Sequence, residues 1–433
     1  MTYAYGMKSN PTVGRGLGGL PKRSAGGLDV NVGDVIFTAD EPEKPEFLEA
    51  DGTLVYANDY AELFAEVGDD LDNYLDADVI EPADLPTGNG LGVAFSSDDT
   101  YMAVAHTSSP YITIYKRSGD TFTKLSDPAD LPTNVGRGVA FSSDDTYMAV
   151  VHEDSPYINI YKRSGDTFTK LSNPADLPTG NGQSVAFSSD DTYMAVAHTS
   201  SPYINIYKRS GDTFTKLSDP ADLPTGNGLG VAFSSDDTYM AVAHPTSPYI
   251  TIYKRSGDTF TKLSDPADLP TNNAVGVAFS SDDTYMAVVN VTTSPYINIY
   301  KRSGDTFTKL SNPADLPTGN GQSVAFSSDD TYMAVAHNTS PYITIYKRSG
   351  DTFTKLANPA DLPTNNAVGV AFSSVGINYL SVAHADSPYI TIYPRIDSAP
   401  LQLKIPDLSS IVTDMEAAYP PTTSRTAYMR VKP

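Results

Sequence analysis

Val93-Ala94-Phe95-Ser96-Ser97-Asp98-Asp99-Thr100-Tyr101-Met102-Ala103-Val104-Ala105-His106 is the stretch from which the rest of the 433-residue chain can be read. Its Phe returns at 141, 187, 233, 279, 326 and 372, in steps of 46, 46, 46, 46, 47 and 46. A second phrase, Ala-Asp-Leu-Pro, also occurs seven times, the first starting at Ala83 and the last ending at Pro363. Seven near-identical units fill most of the chain, so dividing the length by ~150 residues per domain gives the wrong frame.

Each unit reads as four short strands. In the first, Leu91–Ser96 is small and apolar, and Asp98-Asp99-Thr100 turns the chain into Tyr101–His106. Tyr111–Lys116 alternates aromatic and β-branched residues, and Ser118-Gly119-Asp120 turns it into Thr121–Ser126. No segment of the unit has a 3.6-residue period or a helix cap. A four-stranded unit of roughly 40–45 residues is the mark of a β-propeller blade. The Phe-Ser-Ser-Asp-Asp-Thr-Tyr-Met-Ala-Val run resembles the first hairpin of WD40-like propellers, although the Trp-Asp dipeptide and upstream Gly-His of true WD40 repeats are missing. The expected fold is therefore all-β, a seven-bladed β-propeller of four-stranded blades.

The seventh unit runs from Tyr389–Tyr393 into Pro394-Arg395 and never produces a Thr-Phe-Thr-Lys-Leu strand. Ahead of the first Ala-Asp-Leu-Pro, Leu75–Ile80 occupies the register of that missing strand. This predicts that Leu75–Ile80 closes the ring as the outer strand of the last blade, leaving no open sheet edge within the circle.

Composition limits the chemistry. There is no Cys and no Trp, so disulfides and thiolate metal or redox sites are excluded. Lys+Arg is 29 against Asp+Glu 52, a net charge of −23, which argues against nucleic acid as a partner. No apolar run reaches the ~18–20 residues of a membrane-spanning helix. The Met1–Gly6 start lacks a basic stretch followed by an apolar core, so no signal peptide is expected.

Outside the ring, residues 33–73 carry Gly33-Asp34, Phe47-Leu48-Glu49-Ala50-Asp51-Gly52-Thr53 and Asp59-Tyr60-Ala61-Glu62-Leu63-Phe64-Ala65-Glu66-Val67-Gly68. Asp59 with Glu62 makes a capping box and Gly68 a stop, predicting a two-turn helix over Tyr60–Val67. Beyond the ring come Leu403-Lys404-Ile405-Pro406-Asp407-Leu408 and Ala427-Tyr428-Met429-Arg430-Val431-Lys432. In this order the motifs resemble the phage tail-collar module of short tail fibres, over about 70 residues in two pieces. The Arg-Gly-Arg-Phe stretch that usually follows the Leu-Pro-Asp-Leu landmark is replaced by Ser409-Ser410-Ile411-Val412, and no His-x-His follows. The resemblance implies an α+β collar-like module interrupted by the propeller, association with other virion tail proteins, and a homotrimer. It carries over no site. The expected division is a Gly-rich arm over 1–32, collar-like pieces over 33–73 and 394–433, and the propeller over 74–393. The arm has Lys8, Arg15, Lys22 and Arg23, whereas residues 40–81 hold 15 acids and one Lys.

Six His residues, at 106, 152, 198, 244, 337 and 384, share one repeat position, with Asn290 in the fifth unit. A ring of imidazoles for metal is set aside, because equivalent positions in different blades lie too far apart for ~2.1 Å ligation. The reading adopted is a strand-end residue bonded to its own loop. Ser96-Ser97-Asp98-Asp99-Thr100 superficially resembles the Asp-box of sialidases but lacks its Gly and aromatic partner. Repeated carboxylate pairs are not the unique, pKa-separated pair of a glycosidase, so solvated turn residues are expected. Lys116-Arg117 and its copies are read likewise as a solvated, locally balanced face. No catalytic residue, metal or cofactor is assigned, and no enzyme is expected.

The differences between copies are informative. The two hairpins, Ser-Asp-Asp-Thr and Lys-Arg-Ser-Gly-Asp-Thr, scarcely change through six units. Variation concentrates after Leu-Pro-Thr and after the second strand, connections that alternating strands bring out on one face. Candidate contacts on that face are Asn134, Arg137, Glu153, Asp154, Gln183, Asn272, Asn338 and Asp386. The expectation is a phage virion protein, tail-associated and assembled in the host cytoplasm, whose propeller binds a host-surface glycan or protein. A purely structural adaptor or decoration protein is the second reading, and a glycan-degrading enzyme the third.

Overall fold

The computed structural model describes residues 79–375 and 379–394, together with the strands Tyr3–Ala4, Val35–Thr38, Phe47–Glu49, Leu54–Tyr56, Gln402–Lys404 and Thr426–Arg430. The chain divides into two compact units, Leu75–Arg395 and the sequence on either side of it.

The larger unit is a seven-bladed β-propeller. Blade 1 has strands Gly90–Phe95, Tyr101–His106, Ile112–Ser118 and Thr121–Lys124, paired antiparallel in that order from the axis outward. Blades 2 to 6 repeat the four-stranded pattern, and the first strand of every blade neighbours that of the next, including blade 7 against blade 1. The expected second strand is matched residue for residue. The third begins one residue later than expected, because Tyr111 sits in the left-handed region at φ 69° and cannot extend the ladder.

The second strand is buried along its whole length because both of its faces meet another blade. Met148 and Val150 of blade 2 pack on Ala103 and Ala105 of blade 1, large side chains against small. That size match explains why the strand reads Tyr-Met-Ala-Val-Ala-His rather than alternating apolar with polar. Phe168 of the fourth strand completes the same cluster, edge-on to Tyr101 at 5.7 Å.

Blade 7 has three strands of its own, Ala367–Phe372, Tyr379–His384 and Ile390–Pro394. Ile80 pairs antiparallel with Ile392, its N–H donating to the Ile392 carbonyl at 2.8 Å, and its side chain packs on the cluster shared by blades 7 and 1. The ring is thus closed at Ile80 as expected. Residues 75–78 of the expected closing strand lie outside the described residues.

In the smaller unit, Thr426–Arg430 lies between Val35–Thr38 and Phe47–Glu49, and Tyr3–Ala4 extends that sheet beyond Val35–Thr38. Leu54–Tyr56 pairs with Gln402–Lys404. Sequence from both sides of the propeller is interleaved, so the ring is an insertion. The predicted helix over Tyr60–Val67 lies outside the described residues.

Candidate functional site

The two ends of each blade do different work. At the end carrying the first-to-second and third-to-fourth hairpins, Asp145 of blade 2 accepts hydrogen bonds from Ser97 N at 2.7 Å and Asp98 N at 3.1 Å, both in blade 1. The same joint recurs through Asp191, Asp237, Asp283 and Asp330. Asp99 makes it across the closure of the ring, to Ser374 N at 2.6 Å and Val375 N at 2.8 Å. These carboxylates are at most 5% exposed and sit at φ 54–58°. Burial pushes their pKa values up, against the pull of the N–H donors. The expectation of a solvated turn therefore holds for Asp98, whose carboxylate accepts from Thr100 N and Ser96 Oγ at 2.8 Å each within its own turn. It fails for Asp99 and its copies, which bind the neighbouring blade.

The cations join the same seams. Tyr101 donates to Asp166 of blade 2 at 2.6 Å, and Lys116 reaches the same carboxylate at 2.9 Å. Arg163 lies 5.1 Å over the Tyr101 ring, and its Nε donates to the Asp145 carbonyl at 2.7 Å. The charge is balanced, as expected, but across blades. Both invariant hairpins are therefore parts of the inter-blade joint, which accounts for their constancy.

At the opposite end the connections bind almost entirely within their own blade. Thr87 donates to the Ser109 carbonyl at 2.8 Å, tying the stretch after Leu-Pro to the second-to-third loop. Tyr115 donates to the Asp84 carbonyl at 2.8 Å, and its counterpart Tyr393 does the same for Asp361 in blade 7. The six His are fully buried; His106 Nε2 lies 2.9 Å from Thr113 Oγ1 and His198 Nε2 2.7 Å from Asn205 Oδ1. Burial lowers their pKa values, to about 4 for His106, His244 and His337. No cluster of three metal-ligating side chains exists among the described residues.

The eight candidate contacts all lie on this face, spread over blades 2, 3, 5, 6 and 7. Asn134 donates to Asp154 at 2.8 Å and Arg137 Nε to Glu153 at 2.8 Å. Asn272 donates to the Thr293 carbonyl at 3.2 Å, Asn338 Oδ1 accepts from Asn320 N at 2.9 Å, and Asp386 accepts from Asn365 at 2.7 Å. Each of these bonds joins the two variable loops of one blade. Gln183 instead turns to the carbonyls of Asn181 and Gly182, both at 3.4 Å. The structure thus groups all but Gln183 as pairs within single blades, and brings candidates of two blades together only in Arg137 and Gln183.

Arg137 and Gln183 have a second setting that sequence reasoning missed. They line the central channel, a cavity of about 320 Å³ formed by three residues of each first strand. Each blade contributes a mouth residue, such as Leu91, Arg137 or Gln183, then a small one, such as Gly92, Gly138 or Ser184, then a Val. The side chain that would have signalled it is Arg137, the one charged residue at that repeat position.

No protein-family model matches the chain, and no curated protein matches it in sequence. Among solved structures, the crystal structure of a protein from Lactobacillus plantarum superposes with a TM-score of 0.55 at 18% identity, covering 67% of this chain and 89% of that one. At that identity the likeness is one of fold, and it matches the propeller architecture read from the repeat.

Proposed function

We propose that the chain is a tail-associated bacteriophage virion protein in which a collar-like module displays the propeller for host-surface recognition. The observation that carries the recognition reading is the asymmetry of the ring. One face holds the carboxylate joints of six of the seven seams; the other holds loops whose bonds are almost all internal to a blade. Variation on that second face changes the surface without touching the ring. The interleaving of the flanking strands supports the insertion that the collar resemblance implies. No catalytic role is part of this reading.

The same loop-to-loop bonds favour a second reading. Arg137–Glu153 and Asn134–Asp154 satisfy each other's polar groups, as they would on the outer surface of an adaptor that binds nothing there. Replacing the blade 2 loop residues Asn134, Arg137, Glu153 and Asp154 by those of blade 1 decides between them. Recognition requires that the purified variant, with an unchanged melting temperature, adsorb less well to host cells. Unchanged adsorption leaves the adaptor. Imaging the virion then shows whether the variable face is open or covered.

A further inference from the structure

Each blade carries three Tyr, which together make 21 of the 28 in the chain. Two of the three are accounted for: Tyr101 and its copies reach across seams, while Tyr115 and its copies hold the incoming connection. The third set begins with Tyr111 and makes neither kind of hydrogen bond, although Tyr249 packs against the apolar cluster shared by blades 4 and 5. All seven of its members lie in the left-handed region, at φ 61–71°, and all are half-buried on the variable face. Among the described residues, none of their phenol hydroxyls bonds to protein.

A bulky side chain is disfavoured at positive φ, whereas Gly adopts the same backbone freely. The turn fixes the backbone whatever the side chain, since Tyr111 N donates to the Ser108 carbonyl at 2.7 Å and Tyr111 O accepts from His106 N at 3.1 Å. Yet Ser-Pro-Tyr persists in every blade, while the residues just before it read Thr-Ser, Glu-Asp, Pro-Thr, Thr-Thr, Asn-Thr or Ala-Asp. The Tyr therefore remains where local geometry disfavours it and where its immediate surroundings have changed.

Its position is a seam. A Cβ on Gly182 of blade 3 would lie 2.6 Å from the Tyr157 carbonyl of blade 2, and one on Gly228 would lie 2.2 Å from that of Tyr203. The residue before each of these glycines is an exposed Asn, Asn181 or Asn227. At the seam of blades 5 and 6 the corresponding Asn320 accepts from Thr292 N of the preceding blade at 3.2 Å. The backbone of a Tyr thus lies beside an Asn-Gly step of the next blade at successive seams, which sets an aromatic residue and a primary amide in the same neighbourhood. The variable loops are mostly Ser, Thr, Asn and Gly with a few apolar residues such as Pro245, Val291 and Ala385, and their charged residues are Arg137, Glu153, Asp154 and Asp386, in a chain of net charge −23.

We infer that the seams of the variable face are repeated subsites for a neutral, repeating glycan. The Tyr side chain covers the C–H face of a sugar while the Asn amide of the next blade binds its hydroxyls. An acidic polysaccharide is disfavoured by the charge of the face and of the chain. Single subsites bind weakly, and a polymer spanning several gains by multivalency. This inference rests on the recognition reading and narrows its ligand.

The test is affinity electrophoresis of the full chain in native gels containing dextran, mannan or galactan, with polygalacturonate as the acidic probe. The absence of Trp leaves Tyr emission as a second, direct readout of ligand at the aromatic side chains. Retardation is expected in at least one neutral gel. Tyr157→Gly/Tyr203→Gly/Tyr249→Gly, which relieves the φ strain, should lose at least about tenfold in apparent affinity. The corresponding triple Phe variant keeps the aromatic ring and should lose much less. Retardation of the Gly variant equal to wild type, or retardation by polygalacturonate alone, overturns the inference. If the chain adsorbs to cells but no neutral gel retards it, the glycan inference fails and the recognition reading stands. If it does neither, both fail.

Discussion

Acidification is the sharpest perturbation of this ring, because all six of its His are buried without charge. A His whose pKa falls from 6.5 to about 4 on folding takes up its proton more readily in the unfolded chain. Its contribution is intact above pH ~6.5 and is lost as the pH falls toward 4. At pH 5.5 the loss relative to pH 8 is about 1.4 kcal/mol per residue, hence about 4 kcal/mol for His106, His244 and His337 together. Blade 5 supplies the control. There Asn290 stands in place of His and accepts from Asn298 Nδ2 at 2.6 Å. His106→Asn/Thr113→Asn rebuilds that pair in blade 1 without a titratable group. Urea unfolding at pH 8 and pH 5.5 should show the acid penalty reduced by about 1.4 kcal/mol per converted blade. An unchanged penalty after conversion of blades 1, 4 and 6 would refute the assignment of acid sensitivity to these His.

The joints make two further predictions. Asp145→Ala leaves the Ser97 and Asp98 N–H groups without their acceptor and should cost about 2–4 kcal/mol in urea unfolding. Lys116→Ala removes an exposed ion pair to Asp166 and should leave the midpoint within error. If the two variants are equally stable, the buried carboxylate is not the joint. Ile80→Pro removes the N–H that bonds Ile392 and should cost about 1–3 kcal/mol. Hydrogen exchange should then rise first in Ile390–Pro394, and equal exchange across all blades would show that Ile80 does not hold the closure.

The fold was legible because period and strand alternation are local properties. Tyr101–His106 can be bounded from its own residues and the turn before it, and the missing strand of blade 7 follows from counting copies. The strand-end position of the His was also readable, but the expected bond to its own loop is seen at Nδ1 of His244 and His384, while Nε2 of His106 turns to Thr113 of the third strand. The joints were not readable. Asp145 bonds residues 47 and 48 positions away and Tyr101 one 65 away, so their partners appear only once the ring has brought neighbouring blades side by side. The same applies to the candidate site. Sequence places the variable loops on one face and marks Arg137 as the one charged residue at its repeat position, but does not show that it pairs with Glu153. Nor does composition reveal the left-handed backbone of Tyr111, which comes from the loop it closes.

The inter-blade joint also bears on how such a gene changes. Every complete repeat encodes both halves of the joint, the carboxylate that reaches back and the Ser-Asp amides that receive the next one. Recombination between complete repeats within the hairpin sequences therefore exchanges the variable loops as cassettes and restores the same seam between the repeats it joins. The number of blades is held by closure of the circle, but the order of loop pairs around it is free to be shuffled. A surface of this kind diversifies by rearrangement as well as by point substitution.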